Sequence, residues 1–207
     1  MRAWISGVSS EGARTARKAR WLKPLVFLLC LLPFALLVAD LLSDRLGANP
    51  VEKISHRTGD WTLRLLLLTL SITPLRHISG WTPLLRIRRM LGLYTFFYAT
   101  LHFLTYLVFD QFFDWQEIWK DIIKRPYITL GFASFVLLIP LAATSTDGMI
   151  RRLGRHWRRL HQMVYIIATL GVFHYLWLVK KDLREPLVYA FILLALLGWR
   201  AWKQRSR

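Results

Sequence analysis

The chain has 207 residues, 55% of them hydrophobic and 10 of them Trp, with a formal net charge of +17. With a mean hydropathy of +0.34, this composition excludes most soluble classes and describes a membrane protein. The positive charge is split among short segments between apolar runs rather than gathered into a nucleic-acid-binding face, and about six spans of roughly 20 residues leave no length for a soluble domain.

In chain order, the basic segment 1–21 precedes an apolar run at 22–42. That run is longer than a signal-peptide core and has no small-residue cleavage site, so it reads as an uncleaved first span. Its Cys30 is the one cysteine of the chain, too few for a disulfide or a thiolate metal site, and is assigned to packing. Further runs at 61–78, 91–109, 127–145, 160–179 and 187–202 bring the expected spans to six. The second contains Arg64 and ends in Ile72-Thr73-Pro74-Leu75, which a short or re-entrant segment would also explain. Between the third and fourth, Gln111 to Lys124 places Phe112, Phe113, Trp115, Ile118, Trp119, Ile122 and Ile123 at roughly helical spacing. This reads as an amphipathic helix on the outer face, either a lipid anchor or a docking surface. In the loop from Asp147 to Arg159, Met149, Ile150, Leu153 and Trp157 alternate with arginines and Leu160 follows, as in one interfacial helix leading into the fifth span. From Arg158 to Lys181 a single continuous helix is expected, and no internal repeat stands out. The expected architecture is all-α: a polytopic six-helix transmembrane bundle over residues 22–203, with a basic cytoplasmic segment 1–21 and a short tail 204–207.

Charge sets the orientation. The segment to Lys23 carries +5, and Arg76–Arg89, Asp147–Arg159 and the tail from Arg200 carry +4 each, whereas the alternate loops at 43–60, 110–125 and 180–185 carry 0, −1 and +1. The positive-inside tendency makes the basic side cytoplasmic, with both termini there. An odd number of spans would scramble this pattern.

Of six histidines, His102, His161 and His174 fall within expected spans, and His77 only at the very end of the second. Ionisable groups inside a membrane are expensive and point to function. His102 lies about 20 Å inward from Arg89 and His174 about 22 Å inward from Arg159, at 1.5 Å per residue on helices running the same way. The two imidazoles therefore share a level in the outer half, where they could ligate opposite faces of one haem iron. Gly171, one turn before His174, would let a flat macrocycle approach. His161 lies instead level with Arg88 and Arg89. A second, inner haem in the same helix pair would need a His where these arginines stand, so His161 supports another ligand or pairs with a His from elsewhere such as His77. Arg88, Arg89, Arg151, Arg152, Arg158 and Arg159 with His161 form a cationic inner patch, suited to anionic lipid, to a flavin phosphate or to a quinone headgroup.

The stretches RRMLGLYTFFYATLHFLTYLVFD, KRPYITLG and LAATSTDGMIRRLGRHWRRLHQMVYIIATLGVFHYLW, with LGANPVEKISHRTGDW and LSITPLR upstream, resemble the MsrQ (YedZ) family, the haem-binding membrane subunits of the bacterial methionine sulfoxide reductase system. The resemblance covers nearly all of the chain from Trp21. It implies a ferric-reductase-like domain in the inner membrane, containing haem b and FMN. Such a domain takes electrons from the quinone pool or a cytoplasmic flavin reductase and passes them to MsrP, a periplasmic molybdoenzyme. The family's haem-linked histidines carry over onto His102, His161 and His174. Related ferric reductases hold two pairs of His, and the Arg found here in place of one departs from that pattern. No G-x-G-x-x-G loop, catalytic triad or carboxylate pair is present, so dinucleotide chemistry and sulfoxide reduction belong to partners. The alternatives are a free-standing ferric-reductase-like cytochrome b, a non-redox anchor, or a transporter with His relays; the last would be expected to show repeats or matched broken helices, of which only Pro74 gives a hint.

Overall fold

The computed structural model describes the backbone of residues 3–179 and 182–206 and the side chains of 21–179 and 182–206. Lys180 and Lys181, expected to close the fifth span, and the side chains of segment 1–20 lie outside the described residues. Among the described residues every regular element is helical: α1 (Ala3–Leu42), α2 (Pro50–Ser79), α3 (Leu84–Thr105) continued by a π-helical turn (Tyr106–Asp110), α4 (Trp115–Lys124), α5 (Pro126–Ala143), α6 (Asp147–Leu153), α7 (Arg155–His161), α8 (Val164–Leu178) and α9 (Arg184–Arg205).

Among the described residues, four stretches are long and apolar enough to cross a membrane: Trp21–Leu42, Leu84–Asp110, Pro126–Ala143 and Arg184–Arg205. Helix α2 falls outside that measure because Arg64, Arg76 and His77 dilute its apolar stretch, and α8 because it has 15 residues. Yet both stand at the centre of the bundle. Leu63, Leu66, Leu67 and Leu70 of α2 join Leu138 of α5, Ile167, Ala168 and Val172 of α8 and Leu193 of α9 in one buried cluster. Leu65 and Ile72, on another side of α2, join Cys30, Ile87, Leu91, Tyr94 and Tyr98 in a second. Burial on several sides spreads the apolar residues of α2 around the helix instead of along one stripe. Its mid-helix charges Arg57, Asp60 and Arg64 are partnered: Arg57 Nη1 meets Asp40 at 2.5 Å, and Arg64 Nε donates to the Tyr189 hydroxyl at 3.0 Å, with Asp60 at 3.8 Å.

Helix ends follow local chemistry. Asn49 caps α2 by accepting from the Glu52 N–H at 3.2 Å, Pro50 occupies the first turn where no N–H is needed, and Gly80 closes the helix at φ +68. Inside α1, Pro33 interrupts the hydrogen-bond ladder. The buried Tyr98 hydroxyl enters there, donating to the Cys30 carbonyl at 2.8 Å and accepting from the Phe34 N–H at 3.1 Å, so that α3 bridges one turn of α1. Tyr98→Phe leaves both backbone groups short of a partner. A loss of about 1–3 kcal/mol is expected, read as a lower thermal midpoint of the detergent-solubilised protein.

Three expectations are corrected. The single helix from Arg158 to Lys181 is two, α7 and α8, joined by a tight turn in which Gln162 and Met163 donate to Arg159 and Leu160, three residues back. The interfacial helix before it is also two, broken at Gly154, whose φ of +49 a side chain would oppose. The amphipathic segment begins as a helix only at Trp115, capped by the Asp114 carboxylate; Phe112 and Phe113 precede it in left-handed backbone at φ +46 and +61. Ile118 and Asp121 of α4 turn inward, while Phe112, Phe113, Trp115, Trp119 and Ile123 are exposed.

Candidate functional site

The last full turn of α3 and the C-terminal half of α8 bring His102 and His174 ring to ring, with centroids 6.2 Å apart and planes at 73°. Both line a cavity of about 660 Å³ enclosed by α2, α3, α5 and α8. Each Nδ1 is tied to a main-chain carbonyl, His102 to Ser55 of α2 at 2.9 Å and His174 to Tyr127 of α5 at 2.6 Å. A carbonyl only accepts, so each Nδ1 carries the proton, and in the neutral ring Nε2 keeps its lone pair. That is how a protein prepares an imidazole for a metal, with the outer hydrogen bond fixing tautomer and orientation. A metal–imidazole bond of about 2 Å plus roughly 1 Å from nitrogen to ring centre places two opposed rings about 6 Å apart, which matches the spacing found.

No group of three His, Cys, Asp or Glu suited to a metal ion exists among the described residues. Two opposed imidazoles alone leave most positions of a metal unfilled, which a tetrapyrrole would supply from its own nitrogens. The cavity offers such a macrocycle apolar walls in Leu63, Leu66, Phe135, Leu138 and Ile167. The residues present fit a haem.

Two glycines let the rings reach their carbonyls. A Cβ on Gly59 would sit 3.2 Å from Cε1 and 3.3 Å from Nδ1 of His102, and one on Gly131 would sit 2.8 Å from Nδ1 and 2.9 Å from Cε1 of His174. Each glycine lies one turn after the accepting carbonyl, Gly59 after Ser55 and Gly131 after Tyr127, where a side chain would cover that oxygen. Gly171, to which the sequence assigned this space, also lines the cavity, but a Cβ there would meet Leu63 Cδ2 first, at 3.2 Å.

The two halves of the site follow one pattern. Each His bonds a carbonyl 47 residues before it, and a single offset relates Ser55 to Tyr127, Gly59 to Gly131, Thr62 to Ser134, Leu66 to Leu138 and His102 to His174, all of them lining the cavity. The expectation of no internal repeat is therefore corrected: α2–α3 and α5–α8 are related helix pairs. The signal was present in sequence as G-x-x-T-L-x-L-L from Gly59 and G-x-x-S-F-x-L-L from Gly131, but it is confined to the cavity-facing side and diluted by lipid-facing residues.

Comparison with known proteins places this geometry. Residues 58–172 match the family described as "Ferric reductase like transmembrane component". A protein of Herminiimonas arsenicoxydans named protein-methionine-sulfoxide reductase heme-binding subunit MsrQ is 54% identical over 192 residues, covering 90% of this chain and 88% of that one. Proteins with the same name from Xanthomonas oryzae pv. oryzae (strain MAFF 311018) and Xanthomonas campestris pv. campestris (strain B100) are 54% identical over 200 residues and 59% over 164, covering 94% and 79% of this chain and 92% and 75% of theirs. The chain belongs to the MsrQ family.

Relative to the other MsrQ-family features expected from sequence, the structure keeps His161 apart. His161 does not line the His102–His174 cavity. It stacks on Trp157 at 3.9 Å, its Nδ1 meets the Trp157 carbonyl at 3.1 Å, and its buried Nε2 makes no well-formed hydrogen bond among the described residues, with the Leu141 backbone beside the ring. Arg88 lies within Coulombic range of it and touches Thr73 Oγ1 at 3.4 Å. Arg89 is engaged by Asp147 at the start of α6. That hydrogen bond holds the Asp147 carboxyl below its ordinary value, so the tether is fully present above a pH of about 4 and is lost as pH falls through the lowered value. His77, considered as a second ligand with His161, packs instead on Trp199 of α9 at 5.5 Å.

Proposed function

We propose that this chain is a haem b-containing electron-transfer subunit of a bacterial inner membrane, in which His102 and His174 would hold the haem iron. In this reading six spans cross the membrane, α2 and α8 included, with both termini cytoplasmic and residues 22–203 acting as one domain. The observation that carries it is the pair of opposed imidazoles with both Nδ1 atoms bonded to carbonyls. Haem bound there would accept and release single electrons. The chain's part is to hold both Nε2 lone pairs in register, keep water from the apolar wall, and leave the mouth near Asp110, Gln111 and Arg125 as the outer edge. The acceptor beyond it is the periplasmic molybdoenzyme MsrP, which reduces methionine sulfoxide in oxidised proteins; this chain carries no sulfoxide-reducing site of its own.

On the inner side, His161, Arg88 and Arg89 form the entry for electrons from the quinone pool or a cytoplasmic flavin reductase, with FMN as the anionic cofactor that arginines suit. Because Asp147 occupies Arg89, Arg88 and the buried Nε2 of His161 are the groups left for a headgroup. His161→Ala is expected to slow reduction by quinol or reduced flavin at least several-fold while leaving the oxidised haem spectrum in place. Stopped-flow reduction of the purified variant measures this, and equal loss of haem would instead make His161 a ligand.

The test of the whole reading is a reduced-minus-oxidised spectrum of the purified protein, with haem and flavin quantified per chain and co-purification of MsrP. A b-type spectrum with partner capture supports it. Colourless protein would indicate the non-redox anchor, and haem without any partner the free-standing ferric reductase. The repeated helix pairs alone would suit a transporter, but they converge on rings whose Nδ1 protons are committed to carbonyls, an arrangement for ligation rather than proton passage.

A further inference from the structure

The cavity walls repeat about the His pair, but the mouth does not. Asp110, Gln111, Ile122 and Arg125 line it on one side and have no counterparts of like chemistry in the lining. Among the described lining residues Arg125 is the only Lys or Arg, whereas Glu52, Asp60 and Asp110 are carboxylates. Arg125 is thus the described lining cation that an anionic group at this mouth can meet.

Arg125 is also held in place. The carboxylate of Asp121, 7% exposed, lies 3.1 Å from its Nε. Asp121 is served as well by Gln111 Nε2 at 2.8 Å and the Tyr106 hydroxyl at 3.4 Å, so its oxygens are shared among three donors. With Nε turned to Asp121, the guanidinium also meets the Tyr127 hydroxyl and keeps further N–H donors on its Nη groups for another acceptor. The π-helical turn supplies this arrangement: the Gln111 N–H reaches back to the Tyr106 carbonyl at 3.0 Å, five residues earlier, which brings Tyr106 and Gln111 to the same carboxylate. Arg125 stands two residues before Tyr127, whose carbonyl holds His174, so one short segment fixes both an axial ring and the cation.

We infer that Arg125, positioned by Asp121, Gln111 and Tyr106, is the anchor for the propionate carboxylates of the haem and so orients the macrocycle with its acidic edge toward the mouth. The inference rests on the haem reading above. Guanidinium suits a carboxylate through two parallel hydrogen bonds, and the apolar walls at the closed end receive the opposite, hydrocarbon edge.

The experiment compares haem b with haem b dimethyl ester, in which both carboxylates are blocked, by titration into haem-free full-length protein in detergent micelles. Wild-type protein is expected to bind haem b about ten-fold or more tightly than the ester, as for a charge-assisted hydrogen bond. Arg125→Ala should bind both with the affinity that wild type shows for the ester, and Arg125→Lys should recover part of the preference. The midpoint potential of the haem b form should fall in Arg125→Ala, because a nearby cation favours the reduced state. Haem binding with an undiminished preference in Arg125→Ala, or no preference in wild type, overturns the anchor and leaves the His102–His174 site standing. Failure of wild type to bind either porphyrin overturns the haem reading and the anchor with it.

Discussion

Replacing either His102 or His174 with alanine is expected to remove the b-type spectrum from the purified protein. Losing an outer hydrogen-bond partner of a metal ligand weakens binding by roughly 10- to 100-fold, and losing the ligand itself should exceed that, so haem per chain should drop at least ten-fold in each variant. The effect should be the same for both, because the two rings sit in related settings, each bonded to a carbonyl 47 residues earlier. Haem quantified against protein, with far-UV circular dichroism to verify retained helix, measures it. A spectrum unchanged in both variants would remove the assignment. Loss in one only would mean that the second position is filled by another group, and the repeat of the two helix pairs would then have no functional meaning.

The His pair was legible in the sequence because depth in a membrane can be counted. Charge bias gives an expected inner face, helices rise by a fixed step, and two imidazoles at one level on helices of the same sense are able to meet. What holds the rings was not legible. The partners are carbonyls, which every residue has, and the enabling residues are Gly59 and Gly131, whose contribution is an absent side chain. The central place of α2 was also hidden: its charges at Arg57, Asp60 and Arg64 look unsuited to a bundle core until Asp40 and Tyr189 come within reach from other helices. The continuous helix through His161 and His174 failed for a different reason. An apolar period continues smoothly through a tight turn of i→i+3 bonds, so Gln162 and Met163 leave no mark in the pattern even though the ladder changes there. The stripe at 112–123 overran its helix because Phe112 and Phe113 adopt left-handed backbone, which their types do not announce.

Gly131→Ala should cost more haem than Gly59→Ala, although each adds only a methyl group. At Gly131 the new Cβ would lie 2.8 and 2.9 Å from His174 ring atoms, closer than carbon approaches carbon or nitrogen without something moving, whereas at Gly59 the contacts with His102 are 3.2 and 3.3 Å and a few tenths of an ångström suffice. Neither the α5 backbone nor the His174 ring can yield freely, since the ring is held by Tyr127 at 2.6 Å. The ring must therefore rotate, lengthen that bond and swing Nε2 out of line with His102. The expected result is a loss of haem affinity approaching that of a lost outer partner for Gly131→Ala, roughly 10- to 100-fold, and a smaller loss for Gly59→Ala. Helix propensity pulls in the opposite direction, because alanine in a helix interior is favoured over glycine by up to about 1 kcal/mol. Thermal unfolding of the haem-free protein should consequently be unchanged or raised while haem binding falls, a combination that general misfolding would not produce. Equal haem binding by Gly131→Ala and the unaltered protein would mean that the His174 ring has room the structure denies it, and that the carbonyl bond does not set its position.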